Sequence, residues 1–381
     1  MKIQAAALLL LSSWACPIQA FAGLHPRQRH FTSLLHAVSA SATCQLAQLA
    51  SMTTLSIDSG DLEVIRDYAK TGYITDATTN PLFVSQAGLS GDPVYAKLVD
   101  DAVQAAVAAN VGDETVALAI DGLAVNLGAA IATIVPGYIS TEVDPRLSFD
   151  TQASVERGQR IIAMYAALGI PKERVLIKLA ATWEGILAAE ILEQQGIQCN
   201  LTLIFSAVQA IACAQRGAHL ISPFPGRILD WNKVAKKRND GVSPEDDEGV
   251  VAVKTMYNYY KCFDHDTICM PASWRPSRGA GFDLDEIRAL AGTDRMTIPA
   301  TLLEQLAASE EPLVRQLDEE TAKTTGMVLM GGGMMDEKEF RYRMNMDGCG
   351  NDKLAEGIRA FIGETEKLEK VIAAKVRSMS A

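Results

Sequence analysis

Arg174-Val175-Leu176-Ile177-Lys178-Leu179-Ala180-Ala181 is the stretch that decides the fold. Val175 to Leu179 reads as a short strand, apolar on both faces except for one lysine. A continuous apolar run of this kind suits a parallel sheet covered on both sides. An ammonium buried in such a strand is costly unless it is paired or sheds its proton. Desolvation disfavours the charged form and frees an amine to attack a carbonyl. By itself the octapeptide favours the plainer alternative, a lysine that snorkels to the strand end. Partners elsewhere in the chain have to decide.

Outward from that stretch, short apolar runs alternate with helical patterns, the rhythm of βα units. Strands are expected at Thr54–Asp58, Tyr73–Thr78, Tyr138–Val143, Val175–Leu179, Cys199–Phe205, His219–Pro223, Thr267–Pro271 and Arg295–Ile298. Helical periods cover Pro93–Asn110, Leu123–Ile134, Thr151–Leu168, Thr182–Gln195, Ala207–Arg216, Gly249–Cys262, Leu284–Ala291 and Pro299–Ser309. Strands each followed by a helix predict an α/β chain folded as a (β/α)8 TIM barrel over residues 53–381. Two further helices, Asp336–Asn345 and Asp352–Met379, close the chain. Asn232–Glu248 and Ser277–Phe282 read as surface loops, and Gly331-Gly332-Gly333 as a linker to the closing helices. That glycine run lacks the Gly-Lys-Ser/Thr ending of a phosphate loop.

Charge is unevenly spread along the 381 residues, whose formal net charge is −11. Residues 1–57 hold no Asp or Glu. Without residues 1–52 the chain loses Lys2, Arg27 and Arg29, leaving 32 basic against 46 acidic residues, net −14. Such a body offers no basic footprint for nucleic acid or anionic lipid, so an anionic substrate must be held by a few local arginines. No uninterrupted apolar run reaches the ~18 residues of a membrane span, and no membrane contact is expected after leader removal. Residues 1–52 read as a targeting leader. Met1-Lys2 and the run Ala5–Leu11 resemble a secretory signal, and a Ser-rich, acid-free tract follows. That order is similar to the bipartite leaders of algae with complex plastids, where a Phe, here Phe21, follows the signal cleavage site. Outside the leader five cysteines are scattered without C-x-x-C spacing, which argues for free thiols and against a zinc site.

In a barrel the chemistry sits at the C-terminal ends of the strands. Here those ends carry Asp58, Thr78 with Asn80, Glu142, Lys178, Asn200 with Thr202, Ser222 with Phe224 and Arg227, and Ser273 with Arg275. Each has a plainer role open to it. Asp58 or Asn80 could cap a helix, Glu142 could pair with Arg146, and Asn200 with Thr202 could form a satisfied polar layer. Arg227 and Arg275 could be solvated loop residues, and Phe224 could simply pack. Together, one amine, two acids, two arginines and several amides at one mouth suit a Schiff-base lysine, proton-transfer carboxylates and a phosphate clamp.

Six stretches strengthen that reading: DATTNPL (Asp76–Leu82), ISTEVDPRL (Ile139–Leu147), VLIKLA (Val175–Ala180), CNLT (Cys199–Thr202), LISPFPGRILDW (Leu220–Trp231) and KLAEGIR (Lys353–Arg359). With them the chain resembles the transaldolases, carbon-transfer enzymes of the non-oxidative pentose phosphate pathway, over about residues 52–374. The resemblance implies a cofactor-free, metal-free enzyme acting on phosphorylated sugars; a homodimer is among the assemblies it allows. It makes Lys178 the Schiff-base lysine that takes a dihydroxyacetone unit from sedoheptulose 7-phosphate or fructose 6-phosphate. It makes Asp58 the acid/base at the C4 hydroxyl, and Glu142 with Thr202 the pair that works through a water on the imine. Asn80 and Asn200 bind hydroxyls of the covalent intermediate, with Thr78 along that wall. Ser222, Arg227, Ser273 and Arg275 become substrate and phosphate contacts. Phe224 is the aromatic that separates transaldolases from aldolases releasing dihydroxyacetone. The chain departs from the family around strand seven. There the usual Gly-Ala-Ser-Phe-Arg-Asn run is replaced by Pro271-Ala272-Ser273-Trp274-Arg275-Pro276, and a longer loop follows. Three alternatives stay open: an aldolase that liberates dihydroxyacetone, a non-catalytic barrel that binds sugar phosphates, and a cytoplasmic location if the leader is not used.

Overall fold

Eight strands form: β1 (Thr54–Asp58), β2 (Ile74–Thr78), β3 (Ile139–Glu142), β4 (Val175–Ala180), β5 (Cys199–Ile204), β6 (Leu220–Pro223), β7 (Ile268–Cys269) and β8 (Arg295–Ile298). They come from a computed structural model of the chain, which describes residues 41–327 and 333–380. All pair in parallel, in the order β7-β6-β5-β4-β3-β2-β1-β8. Parallel neighbours need a crossover, and helices supply every one of them. The seam between β7 and β8 is closed by the Thr297 amide donating to the Pro271 carbonyl at 3.2 Å. Trp274 Nε1 adds a bond to the Thr297 carbonyl at 2.8 Å. The sheet is therefore a (β/α)8 barrel, as the rhythm of the sequence predicts.

Alternation along β4 sorts its side chains between two cores. Val175, Ile177 and Leu179 join the large layer between sheet and helices. Leu176 instead packs inside the barrel with Leu220 and Met270. Ala180 joins a cluster at the mouth with Leu203, Phe205, Phe224 and Ile228. Lys178 lies between Leu176 and Ala180 on the same face, so it points inward above an apolar plug. Snorkelling outward is excluded by this register.

The packed chain starts earlier than the sequence reading placed it. Helix Gln45–Ala50 precedes β1, and Cys44, Leu46 and Leu49 are fully buried. Gln45 donates to the Glu311 carbonyl at 3.1 Å and accepts from Arg288. Residues 44–50 thus pack against the barrel's underside, and Cys44 counts with the buried thiols. Six cysteines among the described residues are free. Residues 1–40, with the signal and transit readings and Phe21, lie outside the described residues, as do Gly331 and Gly332 of the expected linker. A second correction concerns Asn232–Glu248. Helix Pro225–Ala235 takes its first part, and Asp247 is a fully buried N-cap of helix Glu248–Cys262. Gly112–Ala132 is long and apolar enough to cross a membrane. It nonetheless carries Asp121, which pairs with Arg157 at 3.0 Å and Arg160 at 2.5 Å inside the helical layer.

The closing helix, Gly348–Ser380, runs across the mouth. Gly357 lets it approach β5, since a Cβ there would stand 2.7 Å from Leu203 Cδ2. Polar contacts tie it down along its length: Trp231 Nε1 to Asp352 at 2.9 Å and Arg146 to Glu369 at 2.9 Å.

Candidate active site

Strand register brings the first group of predicted residues together. Glu142 on β3 and Asn200 on β5 stand directly beside Lys178. Lys178 is 5% exposed, and its Nζ donates to the Thr79 carbonyl at 3.2 Å. Glu142 Oε2 also lies 3.2 Å from Nζ, close enough to pair but not aligned as a hydrogen bond. Thr202 Oγ1, fully buried on the same strand face as Asn200, has no hydrogen-bond partner either. Two buried polar atoms without a hydrogen bond near one amine are unusual, because such groups are normally satisfied. Burial pushes the Glu142 carboxyl above its ordinary range, against the pull of Lys178.

Asp58, at the end of β1, keeps some contact with the mouth. Burial still pushes its carboxyl up, opposed by the Lys178 charge and by Thr78. Thr78 Oγ1 donates to Asp58 Oδ1 at 2.9 Å and lies 2.7 Å from Thr297 Oγ1. On the far side Asn200 is held at both ends: its Nδ2 donates to Ser140 Oγ at 3.1 Å, and its Oδ1 accepts from Ser222 Oγ at 2.8 Å. Its amide face is thereby fixed. The plainer roles fall out differently for each residue. Asp61, not Asp58, caps the first helix after β1. Arg146 pairs with Asp144 and Glu369 and leaves Glu142 to the lysine. Asn80 does cap helix Pro81–Leu89, accepting from Phe83 N at 3.2 Å.

A second group gathers at the ends of β6 and β7. Phe224 packs edge-on to Phe205, with ring centroids 5.6 Å apart. The Arg227 guanidinium stacks over the Phe224 ring at 5.2 Å. Burial and the nearby Arg275 charge both push Arg227 below its ordinary pKa, so the two cations face one small region. Such a pair suits an anion carrying more than one charge. Arg275 Nε pairs with Asp230 at 3.1 Å, and its NH1 donates to the Trp274 carbonyl at 2.8 Å. Ser273 is partly exposed, in the left-handed region at φ +62°. Among the described residues no group of three or more His, Cys, Asp or Glu side chains is arranged to hold a metal ion.

Sequence reasoning passed over three residues of this site. Thr297 and Ser140 could have been found by alternation, since both face inward from their strands. Gln209 carries its own signal, a Ser-x-x-Gln capping box with Ser206. Fully buried, it donates to the Ala181 carbonyl at 3.0 Å and the Leu203 carbonyl at 2.9 Å. Its oxygen accepts from Phe205 N at 2.9 Å and Ser206 N at 3.2 Å. This one amide ties the end of β5 to the end of β4. It spans the irregular register after Thr202, where Leu203 takes φ +58°.

Comparison with known proteins identifies the family. The profile of the Transaldolase/Fructose-6-phosphate aldolase family matches residues 55–372. A protein of Alteromonas mediterranea named Transaldolase is 48% identical over 335 residues, covering 87% of this chain and 98% of its own length. Transaldolase of Actinobacillus pleuropneumoniae serotype 5b is 47% identical over 335 residues, 87% of this chain and 99% of its own. Transaldolase A of Pasteurella multocida is 46% identical over 334 residues, with the same coverage of 87% and 99%. On the match across nearly the whole barrel, the chain belongs to the transaldolase/fructose-6-phosphate aldolase family.

Proposed function

We propose that this barrel, an enzyme of the transaldolase type, transfers a dihydroxyacetone unit between phosphorylated sugars through an imine on Lys178. The amine attacks the C2 carbonyl of sedoheptulose 7-phosphate or fructose 6-phosphate and expels water to form the imine. Glu142, with Thr202 and a water, moves the protons of that step. Asp58 takes the proton of the C4 hydroxyl, the C3–C4 bond breaks, and its electron pair passes into the imine as an enamine. The aldose leaves. Glyceraldehyde 3-phosphate or erythrose 4-phosphate then accepts the three-carbon unit by the reverse steps. Asn80, Asn200 and Ser222 hold its hydroxyls, while Arg227, Ser273 and Arg275 meet the phosphate. The observation that carries the reading is the inward, buried Lys178 amine held within 3.2 Å of a carboxylate.

A second reading has support of its own, because the matching family profile also names fructose-6-phosphate aldolase. Phe224 at the mouth and relatives named Transaldolase favour transfer over release. A coupled assay with fructose 6-phosphate alone distinguishes the two. Transfer predicts negligible free dihydroxyacetone with or without an aldose acceptor, and turnover only once erythrose 4-phosphate is added; steady release of dihydroxyacetone without an acceptor would establish the aldolase.

For location, we infer delivery to a plastid through the secretory system. Asn200-Leu201-Thr202, an Asn-x-Thr sequence, lies fully buried in β5, where a secreted form could not present it for glycosylation. Free thiols also suit a reducing compartment. A fluorescent fusion of residues 1–52 should colocalise with chlorophyll in a cell with complex plastids, and secretion into the medium would refute this. Cytosolic retention would favour an unused leader. A homodimer is proposed as the assembly, to be checked by light scattering.

A further inference from the structure

We propose that Glu286 is a positioning residue for phosphate recognition, holding the main chain of Arg275 in the one path that sets its guanidinium beside Arg227. The proposal rests on the reading of Arg275 as a phosphate contact. Glu286 is completely buried in the short helix Asp285–Ala289 that follows the strand-seven loop. Its Oε2 accepts from the Arg275 amide at 2.6 Å, and its Oε1 has no hydrogen-bond partner. A buried carboxyl with half its capacity unused is not there for packing, since an apolar side chain would fill the space at less cost. Its one bond goes to the residue that matters.

The opposite side of that segment has no slack. A Cβ on Gly226 would lie 2.4 Å from the Ser273 carbonyl oxygen and 2.8 Å from Arg275 N. Ser273 itself takes the left-handed φ that only a surrounding structure can impose on a non-glycine residue. The run Ser273–Arg275 is thus pinched between helix Pro225–Ala235 and Glu286. The longer loop beyond it braces the same element. Ser277 Oγ donates to the buried Asp247 at 2.6 Å, the Val242 amide bonds the Ser277 carbonyl at 2.9 Å, and Arg278 pairs with Asp285 at 2.6 Å. The loop is therefore an anchored buttress with three attachment points, not a free flap. Burial, reinforced by Asp247, pushes the Glu286 carboxyl well above its ordinary range.

The test compares KM for erythrose 4-phosphate with KM for erythrose, at saturating fructose 6-phosphate, in Glu286→Leu, Glu286→Gln and Arg275→Ala. Loss of one such bond predicts a rise of about tenfold in KM for the phosphorylated acceptor with Glu286→Leu. The unphosphorylated acceptor should be nearly unaffected, and Glu286→Gln, which keeps an acceptor oxygen, should restore most of the loss. If Glu286→Leu does not fold, Glu286→Asp, one methylene too short to reach Arg275 N, should show the same phosphate-selective rise. Equal losses on both acceptors, or a rise with Arg275→Ala but none at position 286, would overturn the proposal alone. No rise with Arg275→Ala would overturn the phosphate reading and the proposal with it.

Discussion

Asp58, Thr78, Glu142, Lys178, Asn200, Thr202 and Ser222 stand on strands, whereas Phe224, Arg227, Ser273 and Arg275 stand on a helix start or a loop. The first set is placed by ladder register, with side-chain hydrogen bonds running between strands from Thr78 to Asp58, from Asn200 to Ser140 and from Ser222 to Asn200. In the second set the loop that carries Ser273 and Arg275 has buried carboxylates behind it, with Glu286 accepting the Arg275 amide and Asp247 the Ser277 hydroxyl. Strand register is a shared property of the barrel and leaves few ways to vary. A loop can be rebuilt as long as its anchors are rebuilt with it.

Substitutions in the two halves should therefore fail in different ways. The largest losses belong to the strands. A positioned acid or base contributes typically ~10²–10⁴-fold, so Asp58→Asn and Glu142→Gln should each lower kcat on that scale. They should separate in single-turnover experiments: Asp58→Asn still forms the imine but cleaves the carbon–carbon bond slowly, and Glu142→Gln slows imine formation itself. Full transfer activity in either variant would remove that residue from the scheme. At the other end the loss should sit in KM. A charge-assisted contact is worth about 1.5–3 kcal/mol, so Arg275→Ala should raise KM for phosphorylated acceptors about ten- to hundredfold and spare unphosphorylated ones. Equal losses on both would make Arg275 structural and erase the distinction between the halves.

The smallest effect is expected at the barrel's underside, away from both. Glu193 Oε1 accepts the Cys199 and His219 amides at 2.8 Å each, pinning the starts of β5 and β6. Burial pushes its carboxyl up to about 7. The folded state thus holds this proton at a pH where the unfolded chain has released it, and stability falls as pH rises from the ordinary Glu range through about 7. Glu193→Gln keeps both acceptor bonds and removes the titration. Its Tm should gain on the native protein progressively between pH 5 and 8, with activity unchanged at any fixed pH. A Tm difference independent of pH would mean that Glu193 does not titrate in this window.

How much of this was legible in the sequence follows the same division. Strands read well, because a buried parallel strand is a dense apolar run and its polar exceptions stand out; Lys178, Asn200 and Thr202 were found that way. Helix Pro81–Leu89 was not, since it is apolar nearly all round and offers no period. The packing of Cys44–Ala50 was not legible, because a signal-like, acid-free composition continues into it and only burial shows this piece to be core. Arg275 could be named from its neighbours in sequence. Its anchors could not, because Glu286 and Asp247 look like ordinary surface acids until burial reveals them.

The central claim, that chemistry runs through an imine on the inward lysine of β4, is tested most directly by reductive trapping. Borohydride added to the native enzyme with fructose 6-phosphate should inactivate it and leave a reduced three-carbon adduct on the peptide bearing Lys178. Lys178→Arg should take up no label, because a guanidinium stays protonated and cannot form the imine. An adduct on any other lysine of the native protein, or labelling that persists in Lys178→Arg, would contradict the account.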